Sequence, residues 1–256
     1  MTLAIERTDK SLITTLETLD SRLRWLSAWT IHNANHLRES RDGLKVGGHQ
    51  ASCASITAIM TALYFHALGP NDKVAVKPHA GPVLHSIHYL LGNQRLDQLQ
   101  HLRGLGGAQS YPSRTKDKIP VDFSTGSVGL GVAVTAFASL VQDYLIAHGE
   151  IAETDAGRMI ALMGDAELDE GNIYEALIEG YKHDLRNCWW IVDYNRQSTR
   201  PRPIACSAGS TISLRLAAGA SSRSSTESGS LRRSPNRAGA RCATGSTLAR
   251  TQTSPR

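Results

Sequence analysis

Lysine and aromatic residues are absent from the last 58 residues of this 256-residue sequence. Residues 199–256 contain ten arginines and a single acid, Glu227. Ser, Arg, Ala, Thr and Gly make up 43 of the 58 residues, and the few apolar residues follow neither the helical nor the strand period. Such a segment buries too little surface to offset its ordering entropy. We therefore expect residues 199–256 to form a disordered tail.

The abrupt change at residue 199 also bears on the origin of the tail and on its charge. An out-of-frame reading of a GC-rich gene replaces lysine by arginine and abolishes apolar patterning, so we interpret 199–256 as frame-shifted. An Arg/Ser-rich arm for nucleic-acid phosphates is the alternative.

Ten of the 28 basic and one of the 23 acidic residues lie in the tail, which leaves 18 basic and 22 acidic residues in 1–198. This body has a net charge of −4, which argues against nucleic acid as its partner.

Cysteine pairs and long apolar runs are also missing. The chain has four cysteines and no CxxC pair. The first ten residues, MTLAIERTDK, contain no apolar signal core. The longest apolar run, Val128 to Val141, is shorter than the roughly 20 residues that span a bilayer. We expect a reduced, cytoplasmic protein with no membrane partner.

Periodicity and turn residues predict an α/β fold for the body. The predicted elements are a helix over 11–40, a helix over 52–66, a strand at Val74–Val76, a helix within 77–92, a helix capped by Ser124 and Thr125, a strand over 158–163, a helix over 172–184 and a strand over 188–192. The last three form a βαβ unit, which implies parallel strands. We expect a parallel sheet flanked by helices, with an N-terminal helical segment over 1–40 and a domain over 41–198.

Four carboxylates crowd into the stretch GDAELDEGN, directly after the apolar strand at 158–163. Open parallel sheets bind ligands at the carboxyl ends of their strands. Those ends carry Gly164-Asp165 and, after the next strand, Asp193-Tyr194-Asn195. The Asp165 carboxylate and the Asn195 amide oxygen are ligands of the kind that Mg²⁺ prefers, and a backbone carbonyl just beyond could supply a third. The spacing therefore predicts a magnesium site that leaves positions for a diphosphate.

Other interpretations of the same region are weaker. An EF-hand loop fails because its glycine would come one position late, at Gly171, and its twelfth position is Ala176. The glycines at 126, 129 and 131 have the wrong spacing for a dinucleotide fingerprint, and no strand precedes them. Asp169 and Glu170 could simply complement the dipole at a helix N-terminus. That explanation does not extend to Asp165, which lies too far upstream.

Four stretches, in this order, resemble the N-terminal domain of the transketolase-like thiamine diphosphate enzymes, and most closely the homodimeric, decarboxylating pyruvate dehydrogenase component. They are GGHQAS at 47–52, PHAGPV at 78–83, QSYPS with STGSVGLG at 109–113 and 124–131, and MGDAELDEGN with WIVDYNRQS at 163–172 and 190–198. The resemblance implies thiamine diphosphate and magnesium as cofactors. It also implies pyruvate as the substrate, a lipoyl acyltransferase as acceptor of the acyl group, and a homodimer.

The resemblance also assigns site residues. It implies that His49 and His79 are catalytic. The residues implied to bind the cofactor are Ser52, Val128, Gly129, Gly164, Asp165, Ala166 and Asn195. The implied magnesium ligands are Asp165, Asn195 and the Gln197 carbonyl.

Three departures from the family pattern qualify these assignments. Ala166 replaces the last glycine of Gly-Asp-Gly, and Asp193 stands where an asparagine is common. The resemblance ends at Thr199, so we expect the second domain, which supplies a glutamate to the pyrimidine ring in the family, to be missing from this chain. The alternatives are a transketolase-type ketol transferase and a catalytically silent fragment.

Overall fold

The computed structural model describes residues 9–40 and 42–195. Gln197 and the tail at 199–256 lie outside the described residues, so the third magnesium ligand and the disordered tail stay predictions. The described part contains three strands and six α-helices. The helices are α1 Lys10–His32, α2 Gln50–Ala62, α3 Gly81–Leu90, α4 Leu96–Gln100, α5 Leu130–Ala147 and α6 Gly171–Lys182. The architecture is α/β, as the sequence predicts.

The three strands form a parallel sheet in the order β1 (Lys73–Ala75), β2 (Met159–Gly164) and β3 (Cys188–Asp193). The sequence-predicted βαβ unit is confirmed, since β2 and β3 pair along their full lengths and α6 connects them. The register sets Met159 opposite Cys188 and Gly164 opposite Asp193. Both carboxyl ends therefore lie at the same edge of the sheet.

The central strand β2 is buried on both faces, which explains its continuous apolar sequence. Ile160 and Leu162 belong to a core shared with α1, α2 and α3. Ala161 and Met163 pack on the opposite side with Val132 of α5 and Ile173 of α6. This alternation follows from the two-residue period of a strand, and it gives three layers with helices on each side of the sheet.

The helix boundaries differ from the sequence prediction, most clearly at two places. The helix predicted over 11–40 ends as α1 at His32 and continues as a π-helical turn over Asn33–Leu37. The helix predicted from Ser124 begins at Leu130, and the left-handed Gly129 precedes it instead of a Ser or Thr cap. The Thr125 hydroxyl donates to the Val76 carbonyl at 2.6 Å, so it joins this loop to the end of β1.

Within the described ranges, α5 has the length and apolar composition of a membrane-spanning helix. The apolar run from Val128 to Val141 is shorter than this helix, which continues through Gln142 and Asp143 to Ala147. In the structure α5 packs against all three strands and against α6. Packing on the sheet accounts for the apolar composition of that side of the helix.

An ion pair fixes the amino ends of β1 and β2, opposite the edge where the candidate site lies. The Asp72 carboxylate accepts hydrogen bonds from the Arg158 backbone at 2.7 Å and from the Arg158 guanidinium. It also accepts one from the Gly69 backbone at 2.8 Å. Burial alone would raise the pKa of Asp72, but these bonds and the positive charge of Arg158 outweigh burial and lower the pKa to about 2.

We expect D72N to lower the free energy of unfolding at pH 7 by roughly 2 kcal/mol, because a shift of about two pKa units corresponds to that difference. The folded-state pKa lies below the ordinary value of 3.8. The contribution of Asp72 is therefore complete above about pH 4 and is lost as the pH falls towards 2. Urea unfolding of the wild type and D72N across this pH range measures both effects.

The matched control is D97N, which breaks an exposed pair with Arg95 whose side chains are 52% and 79% exposed. Exposed pairs contribute little to stability. A D97N variant as destabilised as D72N, or a D72N effect that does not shrink in acid, would contradict the role assigned to Asp72.

Candidate functional site

The carboxyl edge of the sheet brings together the strand ends that the sequence predicts to form a site. Gly164, at the end of β2, lies opposite Asp193 at the end of β3. Asp165 follows Gly164 at the start of a 3₁₀ turn over Asp165–Asp169, and it is only 3% exposed. Ligands bind at the carboxyl ends of the strands in open parallel sheets, so Asp165 lies where a metal ligand is expected.

A buried ion pair connects the ends of β1 and β3. Lys77 Nζ lies 2.6 Å from Asp193 Oδ2, and the two side chains are 4% and 5% exposed. The Lys77 ammonium also donates to the Ser52 carbonyl at 3.2 Å. The Ser55 hydroxyl donates to the same Asp193 oxygen at 2.6 Å. Helix α2, which carries both serines, is thereby fixed to the carboxyl edge.

This network also orients Asn195. Its amide nitrogen donates to Ser55 Oγ at 3.0 Å and to Asp193 Oδ2 at 3.1 Å. These two bonds fix the orientation of the Asn195 amide. Asp193 is the residue that departs from the family pattern, and here its carboxylate serves Lys77, Ser55 and Asn195.

The donor set fits a magnesium ion. Asp165 and Asn195 offer a carboxylate and an amide oxygen at adjacent strand ends, which are hard oxygen ligands. Over residues 9–40 and 42–195, no group of three or more His, Cys, Asp or Glu side chains is placed to hold a metal. A magnesium ion bound through one carboxylate, one amide, one carbonyl, water and phosphate needs no such group. The ligand roles of Asp165, Asn195 and Gln197 stay predictions.

A second buried carboxylate joins the turn after β2 to the loop before α5. One Glu167 oxygen accepts from the Gly164 backbone at 2.9 Å, and the other accepts from the Gly129 backbone at 3.0 Å. Burial raises the pKa of Glu167, and the two backbone bonds and the charge of Lys77 only partly offset that effect. The Glu167 bridge therefore sets the position of the Gly129 loop relative to Asp165.

Position 129 needs a glycine for two reasons, its backbone conformation and the lack of space for a side chain. Its φ is +77°, and a Cβ there would lie 2.5 Å from Asn172 Oδ1. The neighbouring Val128 is 39% exposed, whereas Gly129 is buried. Ala166 is half-buried in the turn that begins at Asp165. Contact of Val128 and Gly129 with an aminopyrimidine ring, and of Gly164 and Ala166 with a diphosphate, stays a prediction.

The two predicted catalytic histidines lie together in a cavity. The ring centroids of His49 and His79 are 4.0 Å apart, and Tyr111 lies 6.2 Å from His79. Six of the residues that line the cavity are His49, His79, Pro82, Arg103, Ser110 and Tyr111. Burial, followed by the charges of His49, Lys77 and Arg103, lowers the pKa of His79 to about 4. His79 is therefore neutral at pH 7 and can accept a proton.

Helix α2 connects the histidine cavity to the carboxyl edge. His49 occupies its N-cap position, and the buried Ser52 and Cys53 follow in its first turn. The Ser52 carbonyl accepts from Lys77, and the Cys53 thiol donates to the His79 carbonyl at 3.2 Å. Burial raises the pKa of the Cys53 thiol to about 12, so it stays protonated.

Sequence reasoning missed several residues of this site, above all Lys77, Ser55, Glu167 and Arg103. One signal for Lys77 was present, because it is a charge directly after the short apolar strand that became β1. The rule that identified Asp165 and Asn195 at strand ends applies to Lys77 as well. The contacts of Ser55, Glu167 and Arg103 join distant segments, and no local pattern indicates them.

Known proteins are similar to this chain in both sequence and fold. The chain is 31% identical over 160 residues to the transketolase-like protein 2 of Mus musculus, across 58% of this chain and 24% of that protein. It is 28% identical over 186 residues to the pyruvate dehydrogenase E1 component of Mycobacterium tuberculosis, across 68% of this chain and 19% of that protein. The chain thus spans about a quarter or less of the length of these relatives. No protein-family profile matches it.

Solved structures show the same fold. A transketolase from Campylobacter jejuni superposes with a TM-score of 0.63 and 21% identity, over 82% of this chain and 36% of that one. A transketolase mutant from Pichia stipitis also gives a TM-score of 0.63, with 19% identity over 79% of this chain and 33% of that one. The parallel sheet and its flanking helices therefore define an α/β protein of the transketolase fold. The chain is a homologue of transketolases and pyruvate dehydrogenase E1 components, matched over part of their length.

We expect E167Q to loosen the bridge between Gly129 and Gly164, because glutamine has one acceptor oxygen where glutamate has two. Its amide would place an N–H against a backbone N–H, so one bond is lost at a cost of about 1–3 kcal/mol. Amide hydrogen exchange should rise at Gly129 or Gly164 and in the loop before α5. Hydrogen–deuterium exchange of the full chain measures this change.

The control is E150Q, at an exposed glutamate beyond α5. Exchange in E150Q should match the wild type. Equal protection of Gly129 and Gly164 in E167Q and the wild type would show that the carboxylate does not hold the two segments together.

Proposed function

We propose that the chain is the diphosphate- and magnesium-binding part of a thiamine diphosphate-dependent enzyme that decarboxylates pyruvate. The observation that carries this proposal is the carboxyl edge of the sheet, where Asp165 and Asn195 follow the ends of adjacent strands beside a network centred on Lys77 and Asp193. Homology to pyruvate dehydrogenase E1 components and transketolases supports it.

The proposed roles fall to residues at the carboxyl edge of the sheet and to residues of the histidine cavity. Asp165, Asn195 and the Gln197 carbonyl would hold magnesium, and Ser52 and Gly164 would lie against the diphosphate. Val128 and Gly129 would contact the aminopyrimidine edge. Thiamine diphosphate, when bound, supplies a stabilised carbanion. His79 can accept a proton at neutral pH, and His49 lies against it to stabilise developing negative charge.

The proposal also specifies the substrate, pyruvate, and the acceptor of the acyl group, a lipoyl group. In the complete enzyme the acyl group would pass to the lipoyl arm of an acyltransferase. The competing function is ketol transfer between sugars, and the specific observation in its favour is that transketolases are among the homologues at 30–31% identity. The stretches GGHQAS, QSYPS and GDAELDE favour the dehydrogenase.

A homodimer is part of the same proposal. Phe137, Val141 and Tyr144 recur along one side of α5 and are 50%, 56% and 60% exposed. Ile178 and Tyr181 of the neighbouring α6 are 54% and 72% exposed. Contiguous exposed apolar side chains of this kind are typical of a surface that meets another protein.

We expect D165A to abolish magnesium-dependent binding of thiamine diphosphate, because it removes the only anionic protein ligand assigned to the metal. Calorimetric titration with thiamine diphosphate, with and without Mg²⁺, measures the effect. Affinity in D165A equal to that of the wild type would overturn the assignment of the metal site.

The control is E170A, which changes an exposed carboxylate at the N-cap of α6 that makes no side-chain capping bond. A contact with a helix dipole contributes about 0.3–1 kcal/mol. E170A should therefore weaken binding far less than D165A. Equal losses in both variants would indicate a general effect of negative charge in this turn.

A further inference from the structure

Arg103 has a backbone conformation that is unfavourable for its side chain. Its φ is +60°, and only one other non-glycine residue in the described ranges has a positive φ. The backbone of Arg103 donates to the Ala108 carbonyl at 2.8 Å, which closes a tight turn. Residues in such conformations concentrate at functional sites, where the surrounding structure holds them. The turn directs the Arg103 side chain to the wall of the histidine cavity.

The guanidinium uses little of its hydrogen-bonding capacity within the protein. Arg103 Nη1 donates to the Val46 carbonyl at 2.7 Å. Across residues 9–40 and 42–195 it makes no other side-chain hydrogen bond and no ion pair. An arginine carries five N–H donors in a rigid fork that matches a carboxylate or a phosphate.

Arg103 lies among basic side chains. Its positive charge, together with those of His49 and Lys77, contributes to the low pKa of His79. Lys77 is neutralised by Asp193, whereas the described residues provide no carboxylate for Arg103. Tyr111 lies against His79 on the same cavity and provides an aromatic wall.

We propose that Arg103 binds the anionic group of the substrate, the carboxylate of a 2-oxo acid, and so orients the substrate against His49 and His79. This inference rests on the proposed function for the identity of the substrate. The bond to Val46 fixes one side of the guanidinium, which leaves the remaining N–H groups for the ligand. A phosphate has the same bidentate acceptor geometry, so a sugar phosphate is the second source of such an anion.

Titrations of the full chain without thiamine diphosphate and Mg²⁺ test the anion site by itself. NMR signals of the His79 ring would report binding of pyruvate, of its uncharged methyl ester and of ribose 5-phosphate. R103Q removes the charge, whereas R103K keeps the charge and loses the fork. R95Q makes the same change of charge at an exposed arginine paired with Asp97.

We expect pyruvate to shift the His79 signals in the wild type and in R95Q, and the methyl ester to bind more weakly. R103Q should raise the Kd for pyruvate by about tenfold or more, since a hydrogen-bonded charge pair is lost, and R103K should lie between. Binding of ribose 5-phosphate, but not pyruvate, through Arg103 would support Arg103 as the anion-binding residue and would identify the anion as a phosphate.

Equal pyruvate affinity in R103Q and the wild type would overturn the proposal, as would the absence of any anion-dependent shift of the His79 signals. These outcomes are distinct from a failure of the proposed function. A chain that binds pyruvate through Arg103 but does not bind thiamine diphosphate would retain the anion site and lose the assigned cofactor.

Discussion

The buried ion pair between Lys77 and Asp193 is the interaction on which the rest of the site depends. It joins the ends of β1 and β3 across the end of β2, and a Cβ on Gly164 would lie 3.5 Å from the Lys77 side chain. Through Ser52 and Ser55 it also fixes α2, which carries His49. Removing one partner of such a pair leaves an uncompensated buried charge and typically costs about 3–5 kcal/mol. The carboxyl edge of the sheet and the histidine cavity are thus coupled through one pair of charges.

Strand adjacency and the carboxyl-edge position of the site could be predicted from the sequence. An apolar strand, a helix and a second apolar strand are enough to predict parallel pairing, and pairing is enough to bring Asp165 and Asn195 to one edge. The proximity of His49 and His79 came from the resemblance alone. Element boundaries were less predictable. The sequence predicts that Ser124 and Thr125 cap the helix, whereas α5 begins at Leu130, directly after the left-handed Gly129.

The partners of the buried charges could not be predicted, for a physical reason. Lys77 and Asp193 are 116 residues apart, and Glu167 contacts a glycine 38 residues upstream. Local patterns encode helices, strands and turns, whereas such contacts depend on which loops meet at the edge of the sheet. Asp193 stands where an asparagine is common in the family, and in the structure its carboxylate forms an ion pair with Lys77 and accepts a bond from Asn195.

The position of the divalent ion tests the account most directly. Mn²⁺ binds to oxygen ligands much as Mg²⁺ does and broadens the NMR signals of nearby amides. With thiamine diphosphate present, Mn²⁺ should broaden the amide signals of residues 164–167 and 193–195 and leave those at the amino ends of β1 and β2 sharp. Broadening centred on exposed acids such as those of the turn Glu153–Asp155, or spread evenly over the chain, would contradict a metal site at the carboxyl edge.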